Sequence, residues 1–304
     1  MREDGRAGFS DQPTKFIESN GISIAYETFG DPQSPALVLV AGLNWQLVRW
    51  PVAFCDLLVE RGFFVIRFDN RDIGLTDRID DRRAPSLLRQ CLKRYFGVPV
   101  TVPYTLDDMA NDTIGLLDTL GLPAAHLVGM SMGGMISQIA AAKYSSRVLS
   151  LTSMMSTSGT VGKGQPGVLT MIQMLKKPSK SQSVLDVSVE TLQFIGSPSY
   201  PVSDRAVRAT VLAESKRARS RASYPRQIAA INTAGNRIQL LSQVSVPALI
   251  IHGEEDRLVP VSGALDTARH IPHATLKLFA GLGHNLPGEL LPEFADLIAA
   301  NAGH

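Results

Sequence analysis

The sequence predicts an α/β fold, a mostly parallel central sheet with helices on both faces, plus a helical cap insertion. Three observations lead there. Short, mainly apolar runs recur along the chain, and most are followed by a segment of helical periodicity. Those runs lack the alternation of a half-exposed strand, as expected of parallel strands buried on both faces. Residues 156–240 break the rhythm, with helical patterns and no convincing strand.

Residues 16–29 (FIESNGISIAYETF) read as two strands around Asn20-Gly21, a dipeptide favoured in two-residue hairpins. Residues 36–41 (ALVLVA) form a buried strand leading into Gly42-Leu43-Asn44. A helical pattern covers about 50–60, and the strand at 63–68 (FFVIRF) ends in the loop DNRDIGLTDR. Thr105 and Asp108 fit a capping box that opens a helix to about 120, where Gly121 stops it. Residues 125–130 are a strand, 133–144 a small-residue helix, and 148–154 a strand. Further strands lie at 248–252 and 275–279, separated by a helix over 262–270, and a last helix runs over about 290–300.

The cap is expected to contain helices near 168–177, 184–194, 204–219 and 226–234. It holds twelve Lys/Arg against four Asp/Glu, a net +8, so the rest of the chain carries −6. Those basic residues read as solvated outer faces. Residues 1–155 and 241–304 then form the core, and the Arg-rich stretch 77–104 adds a loop or helix over the same face.

Bulk properties narrow the function classes. With 304 residues, 44% hydrophobic and 19% charged, the chain can bury a large core. A net charge of +2 gives no reason to expect nucleic acid. Cys55 and Cys91 cannot staple a chain of this size. Residues 1–15 lack an apolar signal region, and no run approaches the ~20 apolar residues of a membrane span. A cytoplasmic protein with no membrane partner is expected; oligomeric state is left open.

Gly129-Met130-Ser131-Met132-Gly133 is the one G-x-S-x-G in the sequence. It follows a strand and opens a helix, which is what holding a serine above the sheet requires. The helix N-terminus offers free N–H groups to a developing oxyanion. A serine hydroxyl needs a base, and six histidines are available: His126, His252, His270, His273, His284 and His304. Only His284, in the loop Gly281-Leu282-Gly283-His284-Asn285, follows a strand onto the edge that presents Ser131. An acid must orient the imidazole, and Asp256 lies in the loop after the 248–252 strand, with Glu254 and Glu255 as competitors. No H-E-x-x-H, P-loop or G-x-G-x-x-G after a strand occurs, so no metal or other cofactor is expected.

Together the strand–G-M-S-M-G–helix unit, the G-x-x-D-x-x-x-P segment at 253–260 and the G-x-G-H segment at 281–284 resemble the α/β-hydrolase superfamily, over residues 22 to about 300. The order Ser131, Asp256, His284 is the one such enzymes use. The resemblance implies an α/β-hydrolase fold with a lid, and a cofactor-independent serine hydrolase acting on a small-molecule carboxylic ester through an acyl-enzyme. It also admits lactones, polyketide methyl esters, thioesters, C–C cleavage of diketones and perhydrolysis. A ligand-binding protein with a vestigial triad is the rival of another class. In such enzymes a His-Gly pair precedes the first oxyanion donor; here Ala41 stands in place of that histidine. By position, Leu43 N–H is the first donor and Met132 N–H the second. Asn44 and Trp45, after the oxyanion loop, and Met171 and Met174 of the cap are candidate substrate-pocket residues. Asp72 replaces a glycine in a D-x-R-G-x-G-like loop at 69–74, which reads as structural.

Overall fold

A computed structural model describes residues 13–79, 83–86, 98, 100–179, 181–217 and 223–304. Cys91 and most of the Arg-rich stretch expected over the sheet edge lie outside these residues.

The chain opens with β1 (Lys15–Ser19) and β2 (Ile22–Phe29), an antiparallel hairpin in which Ser19 pairs with Ile22. Asn20 (φ 51°) and Gly21 (φ 77°) are both left-handed, as a turn matching the twist of the flanking strands demands. Then follow β3 (Ala36–Val40), α1 (Val52–Glu60), β4 (Phe64–Phe68), α2 (Leu106–Thr119), β5 (Ala125–Met130), α3 (Met132–Lys143) and β6 (Val148–Met154). After β6 come only helices among the described residues: α4 (Val168–Met174), α5 (Val184–Ile195), α6 (Asp204–Arg217), α7 (Tyr224–Thr233) and the short α8 (Ile238–Leu241). The chain returns through β7 (Ala248–Gly253), α9 (Ser262–His270), β8 (Thr275–Phe279) and α10 (Leu291–Ala302).

Among the described residues eight strands form one sheet, in the order β1-β2-β4-β3-β5-β6-β7-β8. β1 and β2 run antiparallel, and β3 to β8 are mutually parallel. Every residue of β3, β4, β5 and β7 is buried, which explains why these segments are mainly apolar without alternation; the buried Arg67 of β4 pairs with Glu27 (2.6 Å). Val38, Ile66 and Leu127 pack on the face covered by α2 and α3, while Leu37, Val65 and Val128 meet α1 and α10 on the other. Because six strands are parallel, their carboxyl ends all open onto one edge. Six loops leave from that edge, after β3, β4, β5, β6, β7 and β8.

The insertion between β6 and β7 is not merely a charged outer layer. Arg217 donates to Asp69 Oδ2 (2.9 Å), Arg226 to Asp72 Oδ1 (2.6 Å), and Arg49 pairs with Glu214 (2.6 Å). Arg237 is buried, with Nη2 on the Thr157 carbonyl and Nε on Gln138 Oε1 (3.2 Å). The expectation of solvated faces therefore fails for Arg217, Arg226 and Arg237. A charge count along the insertion cannot see that Asp69 and Asp72, buried in the loop after β4, await Arg217 and Arg226. Burial pushes the Asp69 carboxyl upward, and Arg217 works against that shift. Asp72 has φ 73°, a conformation suited to the glycine it replaces, while its carboxylate accepts from Arg226 and from the Tyr104 hydroxyl (2.9 Å).

Candidate active site

Ser131 stands between β5 and α3 with φ 57° and ψ −118°, a sparsely populated conformation for a residue bearing a Cβ. Surrounding contacts hold it there. Its N–H donates to Met154 O (2.8 Å), and its carbonyl accepts from the Ser156 hydroxyl (2.7 Å) and from Met135 N–H (3.2 Å). The flanking glycines are needed for close approach: a Cβ on Gly133 would overlap the Val40 carbonyl, and one on Gly129 the Gly133 carbonyl. Ser156, two residues beyond the end of β6, is a supporting residue that sequence reasoning missed; its only local signal is a polar residue shortly after a buried strand.

Asp256 and His284 meet across the loops after β7 and β8. His284 Nδ1 lies 2.6 Å from Asp256 Oδ2. The other carboxylate oxygen, Oδ1, accepts from Leu258 N–H (2.9 Å) and Val259 N–H (2.8 Å), so the carboxylate cannot rotate without losing both. Glu254 and Glu255 in the same turn are exposed, whereas Asp256 is buried. The histidine loop is fixed from the insertion. His284 N–H donates to Ile195 O (2.8 Å), and Gly283 N–H donates to the Ser197 hydroxyl (2.9 Å). A Cβ on Gly283 would strike the Gly196 carbonyl. Among the described residues Ser131 and His284 make no hydrogen bond to each other; such contacts are often long before substrate arrives.

The remaining histidines are otherwise engaged or remote. His252 is fully buried, with Nε2 on Val259 O (2.7 Å) and 3.7 Å from Asp256 Oδ2, and burial lowers its pKa. His270 Nδ1 sits on Asp266 O (2.8 Å), His273 is exposed at a left-handed turn, and His304 packs on Phe63. His126 lies at the opposite edge against Ser150 Oγ (2.8 Å), and burial, with His304 nearby, pulls its pKa down to about 4. Its unfolded form takes a proton near the ordinary value of 6.5, so this histidine leaves stability unchanged above that pH and destabilises the fold increasingly as pH falls towards 4. Tm is expected to fall more steeply between pH 6.5 and 4 in the parent than in His126→Gln; equal slopes in calorimetry would show that His126 contributes nothing.

The loop after β3 closes over Ser131. A Cβ on Gly42 would lie 3.2 Å from Ser131 Cβ. Trp45 N–H turns back to Gly42 O (3.2 Å), and Asn70 Nδ2 holds Ala41 O (2.8 Å). Neither Leu43 N–H nor Met132 N–H, the latter at the first position of α3, has an acceptor among the described residues. The Trp45 ring approaches the His284 ring edge-on, with centroids 6.3 Å apart, and Arg49 lies 5.3 Å over its face. Asn44 points its N–H away, to Gln227 Oε1 (2.9 Å).

Met171 and Met174 lie on α4, where Met171 is 45% exposed and Met174 half-buried. Val168, Leu169, Ile172 and Leu175 are also exposed, and Thr170 is the buried residue of the helix. Among the described residues no cluster of three or more His, Cys, Asp or Glu could hold a metal ion, and no helix is long and apolar enough to cross a membrane. Cys55 is buried and its thiol is pushed up to about 12, so it is inert as a nucleophile.

Comparison with known proteins agrees with this architecture. The chain is 29% identical to a rhodomycin D methylesterase of Streptomyces peucetius, over 95% of this chain and 98% of that one. It is 24% identical to 3-oxoadipate enol-lactonase 2 of Acinetobacter baylyi, over 86% of each. A meta-cleavage product hydrolase from Pseudomonas fluorescens superposes with a TM-score of 0.73 at 23% identity, covering 95% of this chain and 97% of that one, and shares the fold. Residues 35–289 match the alpha/beta hydrolase fold family, to which this chain therefore belongs.

Proposed function

We propose that the chain is a cofactor-independent carboxylic-ester hydrolase with Ser131 as nucleophile, His284 as base and Asp256 as the orienting acid. The observation that carries this reading is the Asp256–His284 hydrogen bond of 2.6 Å on the sheet edge that also presents the strained Ser131 elbow. A carboxylate only accepts, so Nδ1 bears the proton and Nε2 keeps a lone pair for the serine hydroxyl. Ser131 Oγ attacks the ester carbonyl as its proton passes to Nε2. The oxyanion is received by Leu43 N–H and Met132 N–H. The carbon–oxygen bond to the alcohol then breaks, and His284 protonates the departing alkoxide. Water attacks the acyl-enzyme, gives its proton to His284, and frees the acid while Ser131 regains its own proton.

The 29% identity to a methylesterase over nearly the whole chain supports a small alcohol as leaving group. We read the β6–β7 insertion as a lid, residues 156–240, whose α4 offers an apolar approach for the acyl part. Methyl and p-nitrophenyl esters of rising acyl length, assayed beside a lactone and a vinylogous diketone, test the reaction class. Faster turnover of the lactone or the diketone would overturn the ester assignment.

Two expected outcomes follow. On an uncharged ester, kcat/KM rises with pH through one ionisation and levels off, because only neutral His284 accepts the proton. A profile peaking in acid and falling by neutrality contradicts His284 as base. Met171→Ala and Met174→Ala are expected to shift the preference among acetate, butyrate and octanoate esters by about 10-fold or more, since an apolar pocket discriminates roughly 10- to 200-fold for a single methylene. Equal losses on all three esters, in folded variants, would mean that these residues do not shape a pocket.

A further inference from the structure

Ala41 replaces the histidine that precedes the oxyanion glycine in similar enzymes, so other contacts must hold the loop that presents Leu43 N–H. On the core side there is one, the Asn70 amide on the Ala41 carbonyl at 2.8 Å. On the far side the loop rises into the left-handed conformation at Asn44 (φ 58°), and the N–H there meets Gln227 Oε1 at 2.9 Å. Gln227 comes from α7, 183 residues away in sequence, and is fully buried.

The amide is pinned at both ends. Its Nε2 donates to the Arg71 carbonyl (3.3 Å), so only one orientation of the side chain satisfies both partners. Its neighbour Arg226 is anchored by Asp72 in the loop after β4 (2.6 Å). Asn44 is the residue directly after Leu43, and the two N–H groups belong to successive peptides. A displacement of the Asn44 peptide therefore turns the Leu43 peptide with it.

We infer that Gln227 is a positioning residue that fixes the oxyanion loop from the β6–β7 insertion, in place of any device at Ala41. It touches no reacting atom. Its effect falls on the stage in which the substrate carbonyl oxygen becomes an anion, and so on kcat. This rests on the reading of Ser131 as nucleophile and Leu43 N–H as oxyanion donor. Losing an oxyanion donor outright costs about 10²–10³-fold in kcat. Loosening one from a distance is expected to cost roughly 10- to 100-fold.

The test compares the parent with Gln227→Leu, which removes the acceptor and leaves similar bulk. The readouts are kcat and KM on an acetate ester, inhibition by a boronic acid and by the carboxylate product, and thermal unfolding. A boronic acid adds to the serine as a tetrahedral anion and so occupies the oxyanion hole. The expected result is a lowered kcat with little change in KM, and boronate affinity weakened by the same factor as kcat/KM while product affinity holds. A merely structural role would weaken boronate and product together, and that result overturns the inference. So does parental kcat in a folded Gln227→Leu. If that variant does not fold, Gln227→Asn carries the test, since its shorter side chain draws the acceptor back from Asn44 and predicts the same pattern. A parent that hydrolyses esters without a reactive Ser131 would instead bring down the reading on which the inference rests.

Discussion

Ser131→Ala is expected to lower kcat on its best ester by about 10⁶-fold, the scale of nucleophile removal where serine and histidine act as one unit. The variant keeps the fold, because the contacts that impose the Ser131 backbone are made by its N–H and C=O, to Met154, Ser156 and Met135. Those contacts do not involve the hydroxyl. KM or product affinity should therefore change little while turnover disappears. Residual rate from the oxyanion donors and from binding would remain at about 10³–10⁴-fold over water. A Ser131→Ala variant within tenfold of the parent in kcat would remove the nucleophile from the account.

Asp256→Asn is expected to lower kcat by about 10⁴-fold. The geometry explains why so small a change is so damaging. Leu258 N–H and Val259 N–H both require an acceptor at the Oδ1 position, so the asparagine carbonyl must take that place. Its NH₂ then faces His284 Nδ1, where the carboxylate oxygen stood at 2.6 Å. A donor there demands an unprotonated Nδ1 and forces the proton onto Nε2, leaving no lone pair for Ser131. Glu255→Gln, at an exposed position, is expected to leave kcat near the parental value. If Glu255→Gln were the crippling change and Asp256→Asn mild, the orienting acid has been misassigned.

Much of this was legible in the sequence, for identifiable reasons. The strands buried on both faces announce themselves as mainly apolar runs without alternation, and the Asn20-Gly21 and Thr105–Asp108 signals act within a few residues. The elbow and the loops of Asp256 and His284 were readable because each directly follows a strand whose end is fixed by the sheet. What was illegible is contact across the β6–β7 insertion. Arg226 and Arg237 read as surface charges until their buried partners, Asp72, Thr157 and Gln138, are in place. Gln227 carries no local pattern at all, since its role arises only where α7 meets the loop after β3. The edge-on approach of Trp45 to the His284 ring is not legible in the sequence, which places Trp45 only after the oxyanion loop. Nor is the exposure of Val168, Leu169 and Ile172 on α4 legible, because periodicity locates a stripe without saying what it faces.

If one activated serine performs the chemistry, covalent labelling will find it. A fluorophosphonate, titrated against the parent enzyme during turnover of an ester, should add once per chain, with activity falling in proportion to the label. Peptide mass spectrometry should place the adduct on Ser131, and His284→Ala should slow its formation severely. Loss of activity with the adduct on another residue, or full turnover with Ser131 completely labelled, would contradict the account.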